Sequence, residues 1–327
     1  MTLIRSWIES ANTKQTDFPL NNLPYGVFTV SDSDPHCCVA IGDMVLDVTS
    51  LEELEILEPS KNEKVFNEPY WNSFMELGPE TWALFRKNLT DLLKENFDEA
   101  IAETKSILEN SLIPQKDCIL HMPFVISEFT DFFASYHHAK NVGTMFRGPE
   151  NALPPNWLHI PIGYNGRAST VIVSGTDVKR PRGQLKPPTE DIPYFGPSKR
   201  FDFELELGAI VGTNTDIGTT LTTQEADEMI FGYVILNDWS ARDIQAWEYQ
   251  PLGPFQAKAT ATTISPWIVT KAALEPFRKF TPKREVPLLK YLEEKGPMLY
   301  DIDLSVSIET NSSNGSNEIT RTNYSNS

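Results

Sequence analysis

Alternation between apolar and acidic residues is clearest in residues 201–211, which read Phe201-Asp202-Phe203-Glu204-Leu205-Glu206-Leu207-Gly208-Ala209-Ile210-Val211. Successive side chains of a β-strand point to opposite faces, so the three acidic residues would share one face and their apolar neighbours the other. The segment therefore predicts a strand that carries carboxylates on one face. Glu204 and Glu206 would leave that face roughly 7 Å apart.

Flanking segments predict further elements around this strand. Thr222 and Glu225 form a capping box, which predicts a helix through Met229. The segment from Phe231 to Leu236 is continuously apolar, which predicts a buried strand ending at Asn237-Asp238. Farther back, one apolar stripe at helical spacing predicts a packed helix, and it consists of Trp82, Phe85, Leu89, Leu92 and Leu93.

Length and composition indicate a globular chain of two units. The 327 residues suit two domains of roughly 150 residues each. We predict an N-terminal unit at 1–118, where we see no chemistry, and a functional unit at 119–327. Residues 309–327 are rich in Asn, Ser and Thr, so we expect disorder there.

Charge and cysteine content exclude several classes of function. The net charge of −17 argues against nucleic-acid binding and against anionic membranes, which both need a basic face. Three cysteines are too few for a disulfide framework or a zinc cluster. No run reaches 18 apolar residues and no signal peptide is evident, so we predict a cytoplasmic protein.

Four carboxylates predict a site for a hard cation, and they are Asp131, Glu204, Glu206 and Asp238. Oxygen ligands suit Ca²⁺, Mg²⁺ or Mn²⁺, whereas zinc prefers Cys or His. The alternative is an ordinary solvated strand face. Asp131 is expected near the start of a helix.

His138 is the candidate base beside that cation. It follows Asp131 by seven residues, so on a helix the two would share a face about two turns apart. A neutral imidazole beside a cation can take a proton from water. The alternative is a structural histidine, a role that we assign to His137, which would point roughly 100° away.

A polar helix face predicts a ligand grip in the segment after Asp238, which reads Asn237-Asp238-Trp239-Ser240-Ala241-Arg242-Asp243-Ile244-Gln245-Ala246-Trp247-Glu248-Tyr249. If this segment is helical, Arg242, Gln245 and Tyr249 fall on one face and could hold an acidic ligand. The alternative is an exposed polar face, against which the two tryptophans argue.

Lys258 stands alone among small and apolar neighbours, so its ammonium needs a negatively charged partner. Developing charge on a substrate would serve. Signature motifs of nucleotide-binding proteins, serine hydrolases and zinc proteases do not occur in the sequence.

Taken together, several motifs resemble those of the fumarylacetoacetase family. They are Asp17-Phe18-Pro19, Asn22-Leu23-Pro24-Tyr25-Gly26-Val27-Phe28, Asp131-Phe132-Phe133-Ala134-Ser135-Tyr136-His137-His138, Asn156-Trp157-Leu158-His159, Gly163-Tyr164-Asn165-Gly166-Arg167-Ala168-Ser169, Glu204-Leu205-Glu206 and Asn237-Asp238-Trp239-Ser240-Ala241-Arg242-Asp243-Ile244-Gln245. The resemblance covers residues 4–308.

This resemblance implies a fold and a reaction. The fold would be mainly β (α+β), with a small SH3-like barrel followed by a β-roll catalytic domain that forms a homodimer. The reaction would be hydrolysis of the carbon–carbon bond of 4-fumarylacetoacetate to fumarate and acetoacetate, the last step of tyrosine and phenylalanine catabolism.

The same resemblance implies a role for each site residue. Calcium would bind Asp131, Glu204, Glu206 and Asp238, and a second site for Mg²⁺ would involve Asp238, Lys258 and Thr262. His138 would activate water. Arg242, Gln245 and Lys258 would stabilise the oxyanion and the carbanion leaving group, and the substrate would contact Phe133, Arg147, Tyr164, Gln245 and Tyr249.

Two departures from the family pattern lead to further expectations. Phe133 replaces a tyrosine, which removes one hydrogen bond worth about 0.5–1.5 kcal/mol. Family members continue past the point that matches Asn323-Tyr324, so we expect a truncated β-roll without a substrate-binding threonine and a histidine-orienting glutamate. The alternatives are an impaired chain that binds metal or pairs with an intact subunit, or an acylpyruvate hydrolase, whose N-terminal half would differ.

Overall fold

The computed structural model describes residues 2–96, 102–284, 286–312 and 315–326, and of Ala102 and Glu103 it describes the backbone alone. The strands are β1 Tyr25–Thr29, β2 His36–Ile41, β3 Met44–Asp47, β4 Leu112–Pro114, β5 Ile119–Leu120, β6 Thr130–Phe132, β7 Gly163–Asn165, β8 Val171–Val173, β9 Arg182–Leu185, β10 Tyr194–Pro197, β11 Phe201–Asp202, β12 Leu205–Val211, β13 Ile230–Asp238, β14 Ser240–Ala241, β15 Thr262–Ile264, β16 Val269–Thr270, β17 Arg278–Lys279, β18 Leu299–Tyr300, β19 Asp303–Ile308 and β20 Asn317–Asn323. The α-helices are α1 Val48–Glu53, α2 Asn72–Glu76, α3 Pro79–Leu93, α4 Ala102–Asn110, α5 Tyr136–Arg147, α6 Thr223–Met229, α7 Arg242–Glu248 and α8 Lys271–Leu274.

The N-terminal half is built on an antiparallel sheet with strand order β4-β3-β2-β1-β5. Helix α3 packs on it through the predicted apolar stripe. Phe85, Leu89 and Leu93 are buried, and Trp82 and Leu92 lie partly buried against the same core. The stripe prediction is therefore confirmed, because residues three and four apart on a helix meet the core together.

The second sheet has the order β12-β13-β15-β8, with β16 also paired to β13. Strand β15 runs parallel to β8 and antiparallel to β13. The capping box at Thr222 is present at the start of α6 and confirms that prediction. This sheet ends at the site described below.

The strand predicted at residues 201–211 is broken at Phe203 and Glu204. Strand β11 pairs with β14, whereas β12 pairs with β13, so the two parts have different partners. At the break, the Glu204 amide donates to Asn237 Oδ1 at 3.1 Å instead of to a backbone carbonyl. The prediction of a single continuous strand was therefore wrong, although Asp202 and Glu204 still lie on the same side and both contact Arg242.

One hydrophobic core joins the two halves. Phe231 of β13 lies 5.7 Å from the ring of Tyr25 in β1 and 5.0 Å from that of Trp82 in α3. Strand β5 follows residue 118 directly and still pairs with β1. The division of the chain at residue 118 stays a prediction.

The C-terminal segment is ordered where it was expected to be disordered. Strand β20 pairs with β19, and Tyr324 donates its amide to Ile302 O at 2.9 Å. Low apolar content argues against a buried core, but a hairpin ladder satisfies the backbone without one. Disorder at residues 309–327 was therefore wrong for the described part, and Ser313, Asn314 and Ser327 lie outside the described residues.

The fold is mixed α+β and consists mainly of sheets, as predicted. The finer assignments, an SH3-like barrel and a β-roll, stay predictions. Within the described residues, we find no helix with both the length and the apolar character to cross a membrane.

Candidate active site

Four carboxylates converge at one end of the second sheet, and they are Asp131, Glu204, Glu206 and Asp238. One oxygen from each lies within 4.8 Å of the others. Strand pairing explains this for two of them, because Glu206 stands opposite Leu236, two residues from Asp238 on the neighbouring strand. The side chains that the sequence singled out are therefore brought together.

Asp131 reaches the cluster from strand β6 and not from a helix. Strand β6 pairs with β7, where Tyr164 stands directly opposite Asp131. The Tyr164 hydroxyl lies 2.9 Å from Asp131 Oδ2 and 2.9 Å from Asp238 Oδ2. The predicted helix begins only at Tyr136, so the argument that Asp131 and His138 share a helix face was wrong.

Negative charge is poorly compensated on one side of this cluster. Burial, followed by the neighbouring carboxylates of Asp131, Glu204 and Asp238, raises the pKa of Glu206 to about 10. Burial, followed by Asp238, raises the pKa of Asp131 to about 7. Within the described part of the chain, the Glu206 carboxylate makes no ion pair. A divalent cation would let both groups ionise.

Two cations compensate the other side of the cluster. Lys258 Nζ lies 2.6 Å from Glu204 Oε2 and 2.8 Å from Asp238 Oδ2. Arg242 Nη1 lies 2.5 Å from Glu204 Oε1. Burial favours the neutral form of Glu204, but Lys258 and Arg242 outweigh it and lower the pKa of Glu204 to about 2. The partner that the isolated lysine required is thus a pair of protein carboxylates.

Arg242 begins helix α7, which confirms the helical reading of that segment. Its Nε donates to Asp202 Oδ2 at 3.0 Å, and its Nη1 donates to Gln245 Oε1 at 3.2 Å. Asp202 was not among the predicted site residues. The alternation that placed it on the face of Glu204 was the signal that could have found it.

His138 lies on α5 at the solvent side of the cluster. Its Nε2 is 4.0 Å from Glu204 Oε1, and its side chain is 42% exposed. Burial lowers its pKa, and the opposing charge of Glu204 is the smaller effect. The imidazole is therefore neutral at pH 7 and able to accept a proton. The phenyl ring of Phe133 packs against it at 5.6 Å.

The remaining predicted residues are more widely placed. Arg147 donates to the carbonyls of Asn151 at 3.0 Å and Ala152 at 2.7 Å, so its guanidinium is engaged by backbone oxygens. Tyr249 follows the last turn of α7. Thr262 is buried in β15, where it stands opposite Asp238.

Comparisons with known proteins show what the whole chain is similar to. A family model described as Fumarylacetoacetase N-terminal matches residues 21–123, and one described as Fumarylacetoacetate (FAA) hydrolase C-terminal matches residues 128–325. The chain is 47% identical to a fumarylacetoacetase of Arabidopsis thaliana over all of this chain and 77% of that protein. It is 46% identical to one of Dictyostelium discoideum, over 95% of this chain and 73% of that one.

A fumarylacetoacetase of Homo sapiens is 46% identical over 90% of this chain and 71% of that protein. The chain thus spans about three quarters of the length of these relatives, and the predicted truncation stays a prediction. Among solved structures, a fumarylacetoacetate hydrolase from Exiguobacterium antarcticum superposes with a TM-score of 0.45 at 18% identity, over 76% of this chain and 66% of that one.

Proposed function

The chain belongs to the fumarylacetoacetase family, and from that premise we propose that it hydrolyses the carbon–carbon bond of 4-fumarylacetoacetate. The products are fumarate and acetoacetate, which places the enzyme in tyrosine and phenylalanine catabolism. The observation that carries this proposal is the cluster of four carboxylates beside His138 in a chain of this family. The N-terminal match at 21–123 does not favour the acylpyruvate hydrolase alternative.

The carboxylate cluster fits a hard divalent cation. Its donors are all oxygens, and two of its members, Asp131 and Glu206, lack a cationic partner among the described residues. We assign Ca²⁺ to the four carboxylates. A cation held by these carboxylates would supply Lewis-acid polarisation to the oxygens of the β-diketone and would stabilise the charge of an enolate. A second site for Mg²⁺ near Asp238 and Thr262 would use Lys258 only to balance charge, since an ammonium has no lone pair to donate.

The protein's own groups then move the protons. His138 Nε2 takes a proton from water, and the water oxygen bonds to the carbonyl carbon of the fumaryl group, which becomes a carboxyl carbon of fumarate. The carbon–carbon bond beside that carbonyl then breaks, its electron pair passes to the acetoacetate carbon, and the proton held by His138 is returned to that carbon. The position of His138 at the solvent side of Glu204 supports this role.

Two cations and one amide side chain are assigned to the developing charge. Arg242 and Lys258 contact Glu204, and Gln245 accepts a hydrogen bond from Arg242; the three would stabilise the oxyanion and the carbanion. Contacts to the dianionic substrate are assigned to Phe133, Arg147, Tyr164, Gln245 and Tyr249. Arg147 would have to exchange its two carbonyl contacts for the substrate carboxylate.

Family membership also supports a proposal for the assembly and the location. We propose a homodimer in the cytoplasm, with an N-terminal domain of residues 1–118 and a catalytic domain of residues 119–327. The two family-model matches, which meet between residues 123 and 128, support a boundary in this region.

Turnover by the purified chain tests the proposal directly. We expect loss of fumarylacetoacetate absorbance when Ca²⁺ or Mg²⁺ is present. The change His138→Ala should lower kcat by about 100-fold or more, because general-base catalysis typically contributes that much. The matched control is His137→Ala, an exposed neighbour whose ring contacts Tyr136, and its kcat should stay within about twofold.

Two results would contradict this assignment. One is absence of turnover with either cation. The other is an equal loss of activity in the His138 and His137 variants, which would show that the α5 helix, and not the imidazole of His138, matters.

A further inference from the structure

The carboxylate of Glu248, at the end of helix α7, binds the backbone of the loop that leads to Lys258. Its Oε1 accepts from the amides of Phe255 at 2.9 Å and Ala257 at 2.8 Å, and its Oε2 accepts from the amide of Gln256 at 3.1 Å. Three consecutive backbone amides thus surround one carboxylate. The last of these amides, that of Ala257, directly precedes the amide of Lys258.

Ala257 is fixed on three sides by this arrangement. Its amide binds Glu248, its carbonyl accepts from the Ala241 amide at 3.1 Å, and its side chain is fully buried. The side chain packs in a small core with Leu185, Ala241 and Ile244. Ala241 directly precedes Arg242, and Ala257 directly precedes Lys258. Arg242 and Lys258 therefore each follow one member of a hydrogen-bonded pair, Ala241 and Ala257.

These two cations flank the same carboxylate. Arg242 contacts Oε1 of Glu204, and Lys258 contacts Oε2. The separation between guanidinium and ammonium is therefore matched to the width of one carboxylate group. Such a match requires a fixed distance between the backbones of residues 242 and 258.

The hydrogen bond between Ala241 and Ala257 links the two backbones, but the large side chains of the loop do not help to hold it in place. Leu252 is 93% exposed and Phe255 is 59% exposed, so burial of large side chains does not hold the loop. Glu248 also occupies the last position of α7, where a carboxylate is unfavourable for the helix itself. The hydrogen bonds to the loop amides, and not helix stability, therefore explain a glutamate at this position.

We propose that Glu248 is a positioning residue that sets the distance between Arg242 and Lys258 on either side of Glu204. The role rests on the proposed function, because the two cations matter most when negative charge develops on the substrate. Glu248 does not touch the four-carboxylate cluster, so its loss changes the placement of Lys258 and leaves every cluster residue in the chain.

The test compares Glu248→Gln and Glu248→Asp in the full chain. An amide side chain offers one accepting oxygen and turns an N–H toward the loop, whereas aspartate keeps the carboxylate on a shorter arm. We expect Glu248→Gln to speed amide exchange at residues 255–257 by about tenfold or more. We expect its kcat to fall by about 10–100-fold while KM changes by less than about threefold, since the misplaced cations act on developing charge.

Glu248→Asp should be intermediate in both amide exchange and kcat. The matched control is Glu228→Gln, an exposed glutamate near the end of another seven-residue helix, α6. It should change neither quantity.

Several outcomes would overturn the proposal. Unchanged exchange at residues 255–257 in Glu248→Gln would show that the carboxylate does not hold the loop, and this readout does not depend on turnover. Faster exchange with unaltered kcat would show that the clamp does not position the cations. An inactive parental chain would instead count against the proposed function itself and so remove the basis for this role.

Discussion

Glu204 and Glu206 are two positions apart in the chain, yet their pKa values are shifted in opposite directions. Glu204 has a cation on each of its two oxygens, and its pKa is lowered to about 2. Glu206 is equally enclosed, but burial and neighbouring carboxylates raise its pKa to about 10. The difference comes from Arg242 and Lys258, which lie far away in sequence. Metal binding should therefore depend on protons held by the uncompensated members.

Proton release on cation binding follows from these pKa values. At about pH 6, Asp131 and Glu206 both hold protons in the metal-free protein, because their pKa values of about 7 and about 10 lie above that pH. A cation binds the ionised forms, so Ca²⁺ should release about two protons there and about one near pH 8.5. Affinity should accordingly increase as pH rises. Isothermal titration calorimetry in buffers of different ionisation enthalpy measures both quantities.

The change Glu206→Gln distinguishes the proton released by Glu206 from the proton released by Asp131. The variant should release about one proton fewer than the parental chain at about pH 6, because the amide carries no titrating proton. Glu228→Gln, on the exposed face of α6, should leave proton release unchanged. Proton release that does not vary with pH would contradict the assignment of the raised pKa values to this site.

At the scale of elements, short segments bring the site together. Asp131 lies on the two-stranded pair β6 and β7, His138 on α5, and Asp238 at the end of β13. Helix α5 is fixed by a close backbone contact, because a Cβ atom on Gly143 would lie 1.8 Å from the Ala152 carbonyl oxygen. The position of His138 thus depends on a glycine five residues along the same helix.

The change Gly143→Ala tests that dependence. Alanine normally stabilises a helix interior by about 0.5–1 kcal/mol relative to glycine. Here we expect the opposite sign, a loss of about 1–3 kcal/mol in the free energy of unfolding, because the backbone at Ala152 must move. Urea denaturation measures the difference. Asn141→Ala, at an exposed position of α5, is the control and should not destabilise. A stabilised Gly143→Ala variant would refute the contact.

Elements with a local signal were predictable from the sequence. The capping box at Thr222 and the stripe on α3 need only residues three or four apart, and both are present. The strand at 201–211 was only partly predictable, because its break depends on where its partner strand β13 ends and β14 begins, after Asp238.

Some features of the site could likewise be predicted from the sequence and others could not. Identities of the four carboxylates came from the sequence, but the hydroxyl of Tyr164 between two of them depends on pairing across 33 residues. Glu248 left no signal, because its partners are backbone amides, which every residue type except proline carries.

At the scale of the whole molecule, the two halves share one core. Phe231 of the second sheet is 2% exposed and packs among aromatic rings of the first half, including Tyr25 and Trp82. Arg86 of α3 adds a polar link, because its guanidinium donates to Thr270 Oγ1 at 3.1 Å. A core shared in this way couples the stability of the catalytic sheet to that of the N-terminal sheet.

This coupling predicts that the halves unfold together. Native-state amide exchange should give the same free energy of global opening for the slowest amides of β1 and of β13. Phe231→Ala should lower both values by about 3–5 kcal/mol, because truncation of a buried phenylalanine leaves a cavity between the halves. The control is Phe280→Ala, whose ring is 72% exposed, and it should change both by less than about 0.5 kcal/mol.

The two strands distinguish a shared core from two independent ones. If the cores were independent, Phe231→Ala would weaken protection in β13 and leave β1 at its parental value, because β1 would keep all of its own contacts. Equal losses of opening free energy in β1 and β13 would mean that the two sheets unfold together and that the contacts around Phe231 are lost in the same step. In that case the carboxylate cluster at the end of β13 draws part of its rigidity from residues 1–118, where the sequence showed no chemistry.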